Sequence, residues 1–393
     1  MTKCVLGDVA KRIQTGPFGS QLHQSDYSLS GTPVVMPKDI ADGAIVDATI
    51  ARVGPQHVER LARHKLNEGD LLFSRRGDVG RCALVRKEQE GWLCGTGCLR
   101  VELDVEKADY KYLYYFLRRD DVAKWLESHA VGAIMLNINP SIVSQLPVVL
   151  PPLDVQRNIA KVLSAIDRKI ALNRKRIATL EAMAKEIYDY WFVQFDFPDA
   201  HGRPYKSSGG AMVYNPDLKR EIPKGWEAVS LGELISVCNG KDHKVLSVGD
   251  IPVYGSGGIM RRVDQMLYEG ESVLIPRKGT LNNIMYVNGP LWCIDTMFYT
   301  KPKVYNVMKF IFMTIKDWDF ASMDTGSAVP SMTAGIINKL SVARPADVLL
   351  EKFENQMRAL FVGMSLSERE IAKLTSLRSF LLPLLMNGQA KVR

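Results

Sequence analysis

The strongest constraint on this chain is that its plan is written twice. Leu6-Gly7-Asp8 returns as Leu231-Gly232-Glu233, and Pro33-Val34 as Pro252-Val253. Glu68-Gly69-Asp70 through Arg75-Arg76-Gly77 returns as Glu269-Gly270-Glu271 through Arg277-Lys278-Gly279, and Trp92 as Trp292. The offset shrinks from 225 to 200 along this series, as a second copy with shorter loops requires, and then locks at 194. In that last stretch Gly132, Ile142, Leu146, Val148 and Pro151 meet Gly326, Ile336, Leu340, Val342 and Pro345. An internal repeat of this kind dictates the architecture before any single element is assigned. Two copies of one unit stand in tandem.

Each copy ends in a long helical pattern. Val155, Ile159, Val162, Ile166, Ile170, Asn173, Ile177, Leu180, Ala184, Ile187 and Trp191 are spaced three or four apart, a coiled-coil-like seam. The offset of 194 maps them onto Leu349, Phe353, Gln356, Leu360, Met364, Ser367, Ile371, Leu374, Arg378, Leu381 and Leu385. Both patterns start after a proline-bearing loop with an aspartate near the first turn, Asp154 and Asp347. Asn173 and Ser367 are matched by the repeat and stand at the midpoint of each seam. If the helices run antiparallel about a pseudo-twofold axis, the two residues face each other; a position in solvent is the other reading. A polar pair in an apolar seam sets register at some cost in stability.

The remainder of each copy reads as short strands running into polar turns, with a helix expected over 109–126. The fold class is therefore α+β: two tandem α/β domains and two long antiparallel coiled-coil helices in a pseudo-twofold repeat. The expected division is a first domain at 1–152, a long helix at 153–192, a connector at 193–225, a second domain at 226–346, a second long helix at 347–386 and a tail at 387–393. The composition, 46% apolar and 24% charged, is that of a globular protein. Six scattered cysteines, a start without an apolar signal core and the lack of a long apolar run point to a cytoplasmic chain with reduced thiols and no membrane span.

Catalytic tools are hard to find. The one double proline, Pro151-Pro152, lacks the polar residue and the aromatic that an amino-methylase uses to hold an extruded base. No phosphate loop with its Gly-Lys-Ser/Thr ending occurs. Gly255-Ser256-Gly257-Gly258 reads as a turn, since no helix with an acidic ribose partner comes after it. Cys94 and Cys98, with Cys82 nearby, lack a fourth zinc ligand at convincing spacing and read as buried structural thiols. No metal site and no catalytic residue is expected.

Contact surfaces are easier to find. Gly16-Pro17-Phe18-Gly19-Ser20 is a tight loop with backbone donors, a hydroxyl and an aromatic, suited to close approach to a phosphate backbone or a base edge. Arg75-Arg76-Gly77 and its copy Arg277-Lys278-Gly279 place two cations before a glycine at a strand end. Arginine can form two hydrogen bonds to guanine, whereas lysine serves phosphate as a point charge. Arg118-Arg119 and Arg261-Arg262 are additional candidates, each read more readily as a solvated charge run. On the first long helix, Arg168-Lys169 and Arg174-Lys175-Arg176 could meet phosphate or an acidic partner.

With these residues in view, the chain resembles the specificity subunit of type I restriction-modification systems over nearly its whole length. The resemblance rests on the tandem plan, on Thr15-Gly16-Pro17-Phe18-Gly19-Ser20-Gln21-Leu22, on Gln156-Arg157 through Ile166-Asp167 opening the first long helix, on Ile222-Pro223 through Leu231-Gly232-Glu233, and on Val253-Tyr254-Gly255-Ser256-Gly257-Gly258-Ile259. It implies two target-recognition domains, each reading half of a split double-stranded DNA site. It adds Ser256 and Gly257 to the DNA-contacting candidates, and Gln156 and Arg157 to the helix residues that would meet a partner. The implied partners are two modification subunits and the restriction subunits. S-adenosylmethionine, ATP and magnesium would reside on those partners and none on this chain. The second helix opens with Leu350-Glu351-Lys352-Phe353 where the first has Gln156-Arg157-Asn158-Ile159, so symmetric docking of both modification subunits is less strongly implied.

Charge sharpens the expectation. Of the net +8, residues 1–152 and 226–345 carry only +1 each, so bulk attraction is not the means of reading. A helix from about Asp154 to Tyr190 would be about 55 Å long at roughly 1.5 Å per residue, enough to set half-sites about one duplex turn apart. Two other classes compete: a coiled-coil adaptor, which would show no salt-dependent DNA affinity, and a cytosolic enzyme with duplicated α/β domains, which would be active alone.

Overall fold

The computed structural model describes residues 2–132, 135–323 and 331–392; Gly326, one of the repeat anchors, lies outside them. The chain forms two compact units that cut across the sequence halves. One runs to Asn173 and takes in the chain from Glu370 onward, and the other is Arg174–Arg369. The long helices, Leu153–Tyr188 and Asp347–Met386, are therefore each divided between the units.

In the first unit the strand Thr2–Val5 pairs antiparallel with Pro147–Leu150, closing the domain on itself. A four-stranded antiparallel sheet has the order Ala10–Thr15, Cys98–Leu103, Leu71–Ser74, Cys82–Leu84. Alternation across the pleat explains its run of apolar residues. Leu71 and Phe73 pack with Tyr112, Leu113 and Phe116 on one face, while Leu72 packs with Val35, Ile40 and Cys98 on the other. A second four-stranded sheet, order Leu93–Cys94, Thr32–Val35, Ala51–Val53, Tyr27–Ser28, contains one parallel pair.

The helix expected over 109–126 is two helices, Tyr110–Leu117 and Asp120–His129. The break has a local cause. Arg119 is extended (ψ 146°) and begins a new first turn holding Asp120 and Asp121, where carboxylates are favoured. Arg118 and Arg119 are also not the solvated run that the sequence suggests. Arg118 donates to Tyr114 Oη and to Asp42, and Arg119 chelates Asp121.

The second unit repeats this plan with a single larger sheet. Its order is Ile235–Asn239, Met297–Pro302, Tyr268–Pro276, Met285–Cys293, Ile251–Gly255, Gly258–Val263. Glu227–Ser230 pairs with Ser341–Arg344 as Thr2–Val5 pairs with Pro147–Leu150. Val273 and Ile275 face one core and Leu274 the other. The stretch 193–225 is packed: Phe197 stacks on Trp226 (centroids 5.4 Å apart), and Met212–Asn215 pairs with Arg220–Pro223. Arg261 and Arg262 are spent on backbone carbonyls of His243, Leu246 and Asp250.

Each unit packs a part of both long helices, antiparallel to one another. In the first, Ile159, Ala160 and Leu163 share a core with Leu385 and Met386, and Arg378 pairs with Asp167. In the second, Phe353 meets Trp191 and Phe192, and Gly363 lies against Leu180. Among the described residues no helix is long and apolar enough to cross a membrane.

Candidate nucleic-acid interface

The repeat extends to single hydrogen bonds at the candidate loops. In the first unit Gly16 N–H donates to the Cys98 carbonyl (2.9 Å) and Arg75 N–H to the neighbouring Gly97 carbonyl (2.7 Å). The loop after Gly16 and the cations after Ser74 thus flank one turn, Gly95–Cys98. In the second unit Gly240 N–H donates to Met297 O (3.0 Å) and Arg277 N–H to Thr296 O (2.9 Å). Arg75 O and Arg277 O then accept from Ile138 and Met332, both at 3.0 Å. Gly240 is the counterpart of Gly16, a match that the sequence comparison misses because no neighbouring residue is shared.

Close approach demands glycine at both places. A Cβ on Gly16 would sit 2.0 Å from Gly95 O, and one on Gly240 would sit 2.0 Å from Ile294 O. Gly77 (φ 76°) and Gly279 (φ 85°) take the left-handed turn after each cation pair.

Around these turns the candidates divide by exposure. Gly16 and Pro17 are buried, whereas Phe18, Gly19 and Ser20 are exposed. Arg76, Arg277 and Lys278 reach solvent, and Arg75 is half-buried with its Nε on Asn137 Oδ1 at 3.1 Å. Burial, and then the charge of Arg76, push the Arg75 guanidinium below the usual arginine range. In the second unit Ser256 lies beside Gly279, its Oγ 2.9 Å from where a Cβ there would be, and its carbonyl accepts from Asn283 Nδ2 (2.7 Å). Gly257 is exposed next to it.

Three supporting residues escape sequence inspection. Arg60 Nη2 donates to Gln21 O (3.0 Å), and Arg63 Nη2 donates to Gln21 Oε1 (3.3 Å), which also accepts from Phe18 N–H (3.2 Å). Beneath them His64 is buried and accepts from Arg63 Nε at 3.0 Å. Burial and the Arg63 charge pull the His64 imidazole down to about 4, so it is neutral at physiological pH. Their separation of about forty residues from the loop carries no periodic signal.

On the long helices Arg157, Arg168, Lys169, Arg174, Lys175 and Arg176 are exposed, with Lys169 also 3.4 Å from Glu370. Gln156 is a correction: it is buried, accepts from Asp109 N–H (2.9 Å) and donates to Pro151 O (2.8 Å), so it braces the first unit and presents nothing to a partner. Asn173 and Ser367 are both buried. Asn173 Nδ2 donates to Glu370 Oε2 and Ser367 Oγ donates to Gly363 O, each at 2.8 Å.

Burial pushes the Cys82 and Cys94 thiols up to about 12, which leaves them protonated and poor as ligands or nucleophiles. No group of three or more potential metal ligands occurs among the described residues.

A duplicated α/β unit with a matched glycine junction and cation pair in each copy, and a long helix after each copy, is a plan suited to DNA specificity. The chain belongs to the type I restriction modification DNA specificity domain family, whose model matches residues 6–182 and 223–347. It is thus a specificity subunit, a non-catalytic component of a restriction system, from a family that normally binds no cofactor. It is 22% identical to the type I restriction enzyme MjaIX specificity subunit of Methanocaldococcus jannaschii, over 93% of this chain and 88% of that one. To the HindI specificity subunit of Haemophilus influenzae it is 20% identical over 84% and 88%. Its fold resembles the crystal structure of the type I restriction-modification S subunit from M. genitalium, with a TM-score of 0.65 at 19% identity, covering 98% of this chain and 95% of that one.

Proposed function

We propose that the chain binds double-stranded DNA at a split site, one half-site per domain, and carries modification subunits on its long helices. The observation that supports this best is the duplicated junction in which Gly16 and Arg75 flank one turn as Gly240 and Arg277 flank another. Specific reading then comes from Arg75, Arg76 and Arg277, Lys278 holds phosphate, and Gly16 to Ser20, Ser256, Gly257, Gly77 and Gly279 allow close approach to the backbone. Arg157, Arg168, Arg174, Lys175 and Arg176 lie on the helix surface offered to partners. The partners supply the chemistry: modification subunits methylate adenine with S-adenosylmethionine, and restriction subunits use ATP and magnesium. Such a complex works in the cytoplasm, where its DNA is.

The test is co-expression with the modification subunit in a methylation-free host, followed by mapping of methylated adenines. A bipartite motif is expected. Exchange of residues 226–345 for those of another specificity subunit should change one half-site; a change in both would refute the one-domain, one-half-site reading.

A further inference from the structure

The two domains share the glycine junction but diverge immediately after it. Beyond Gly240 the second continues Lys241-Asp242-His243-Lys244, a charged stretch whose Lys241 carbonyl is held by Trp292 Nε1 at 2.9 Å. Beyond Gly16 the first turns through buried Pro17 and lifts Phe18 into solvent, with 56% of its surface exposed.

This exposed ring stands on a hydrogen-bonded mount. Phe18 N–H donates to Gln21 Oε1, Phe18 O accepts from Gln21 N–H (2.8 Å), and Arg60 and Arg63 clamp Gln21 from outside the loop. Arg60, Arg63 and Arg76 are exposed, Arg60 also pairing with Asp26 at 3.4 Å, and Arg76 lies on the cation segment that flanks the same turn as Gly16. An apolar ring left in water beside several guanidinium groups suits a polyanion with stacked aromatic interiors far better than an apolar protein face. A base offers a π-face whatever its identity, and proteins that insert apolar wedges between bases pair the wedge with cations on the neighbouring phosphates.

We propose that Phe18 enters the base stack of the DNA held by the first domain and opens one base step, and that the charged stretch after Gly240 makes no such insertion. This rests on the reading that both domains bind DNA. The two half-sites would then be read differently: one partly through the ease with which a step opens, the other through groove contacts alone.

The experiment uses the full chain assembled with its modification subunit, on DNA carrying the mapped site with 2-aminopurine placed at successive positions other than the methylated base. A several-fold rise in fluorescence is expected at one step of one half-site. With each complex at a protein concentration that saturates the DNA, Phe18→Ala should lose that rise and Phe18→Leu should keep part of it. If the wild-type complex binds with no rise, or if Phe18→Ala shows the same rise, insertion is overturned and two-domain binding stands. If the wild-type complex does not bind the mapped DNA, the two-domain reading falls and insertion with it.

Discussion

Arg378 of the second long helix donates to Asp167 of the first at 2.7 Å, and the other oxygen of that carboxylate accepts from Tyr115 Oη of the first domain at 2.6 Å. One carboxylate thereby ties a recognition domain to both helices. The repeat places Phe361 where Asp167 stands and Ala184 where Arg378 stands, and both belong to the apolar core of the second unit. The same junction is polar in one copy and greasy in the other. Breaking a well-shielded ion pair leaves its partner uncompensated. Arg378→Met should lower stability by about 1–3 kcal/mol, read as a shift in the urea midpoint. Asp167→Phe combined with Arg378→Ala, which copies the second unit, should recover part of that loss. An unchanged midpoint for Arg378→Met would show that the clasp contributes nothing.

His64 predicts a pH dependence. Its folded-state value, about 4, is below its ordinary 6.5, so the unfolded chain binds the proton more readily. Stability from this group is full above about 6.5 and is lost as pH falls towards about 4. Protonation also sets a second positive charge against Arg63, beneath the clamp on Gln21. Between pH 7 and 5 the wild type should lose more stability than His64→Gln; parallel curves would contradict the assignment.

Gly16→Ala and Gly240→Ala should each disable one domain. The added carbon overlaps a backbone carbonyl, which cannot swing aside as a side chain can. The turn must shift, and the neighbouring cations shift with it. Methylome mapping should show relaxed or lost recognition at one half-site for the first variant and at the other half-site for the second. Loss at the same half-site from both variants would refute the equivalence of the two junctions.

The helices predict a geometric effect. Four residues inserted into both, about 6 Å at roughly 1.5 Å per residue, should widen the unread gap between half-sites and leave each half-site unchanged. An unchanged gap in the mapped motif would end the idea that the helices act as a ruler.

Much of this architecture is legible in the sequence because repeats and heptad-like spacing are local signals. Leu6 and Leu231 are matched anchors, and their N–H groups do bind the carbonyls of matched Leu146 and Leu340. What escapes is whatever depends on distant side chains meeting. The expected single helix breaks at Arg118-Arg119, where Arg118 reaches Asp42, a partner that no local pattern announces. Gln156 looks like an outward-facing polar residue until Asp109 is folded against it. Lys309 is a further example: it is buried among apolar neighbours on Met308–Ile315 and held by Glu271 and Glu354, and a solitary lysine in so apolar a helix is the only warning. Arg60, Arg63 and His64 give none.

The pairing of Thr2–Val5 with Pro147–Leu150, and of Glu227–Ser230 with Ser341–Arg344, brings the beginning and the end of each domain side by side on adjacent strands. Each domain is therefore a cassette. Exchange with one crossover in each strand of a pair moves a complete sheet-and-loop assembly, and the contacts to be remade are those with the long helices, such as Tyr115 on Asp167. Moving such a unit between chains is a far smaller step than rebuilding a sheet around new loops.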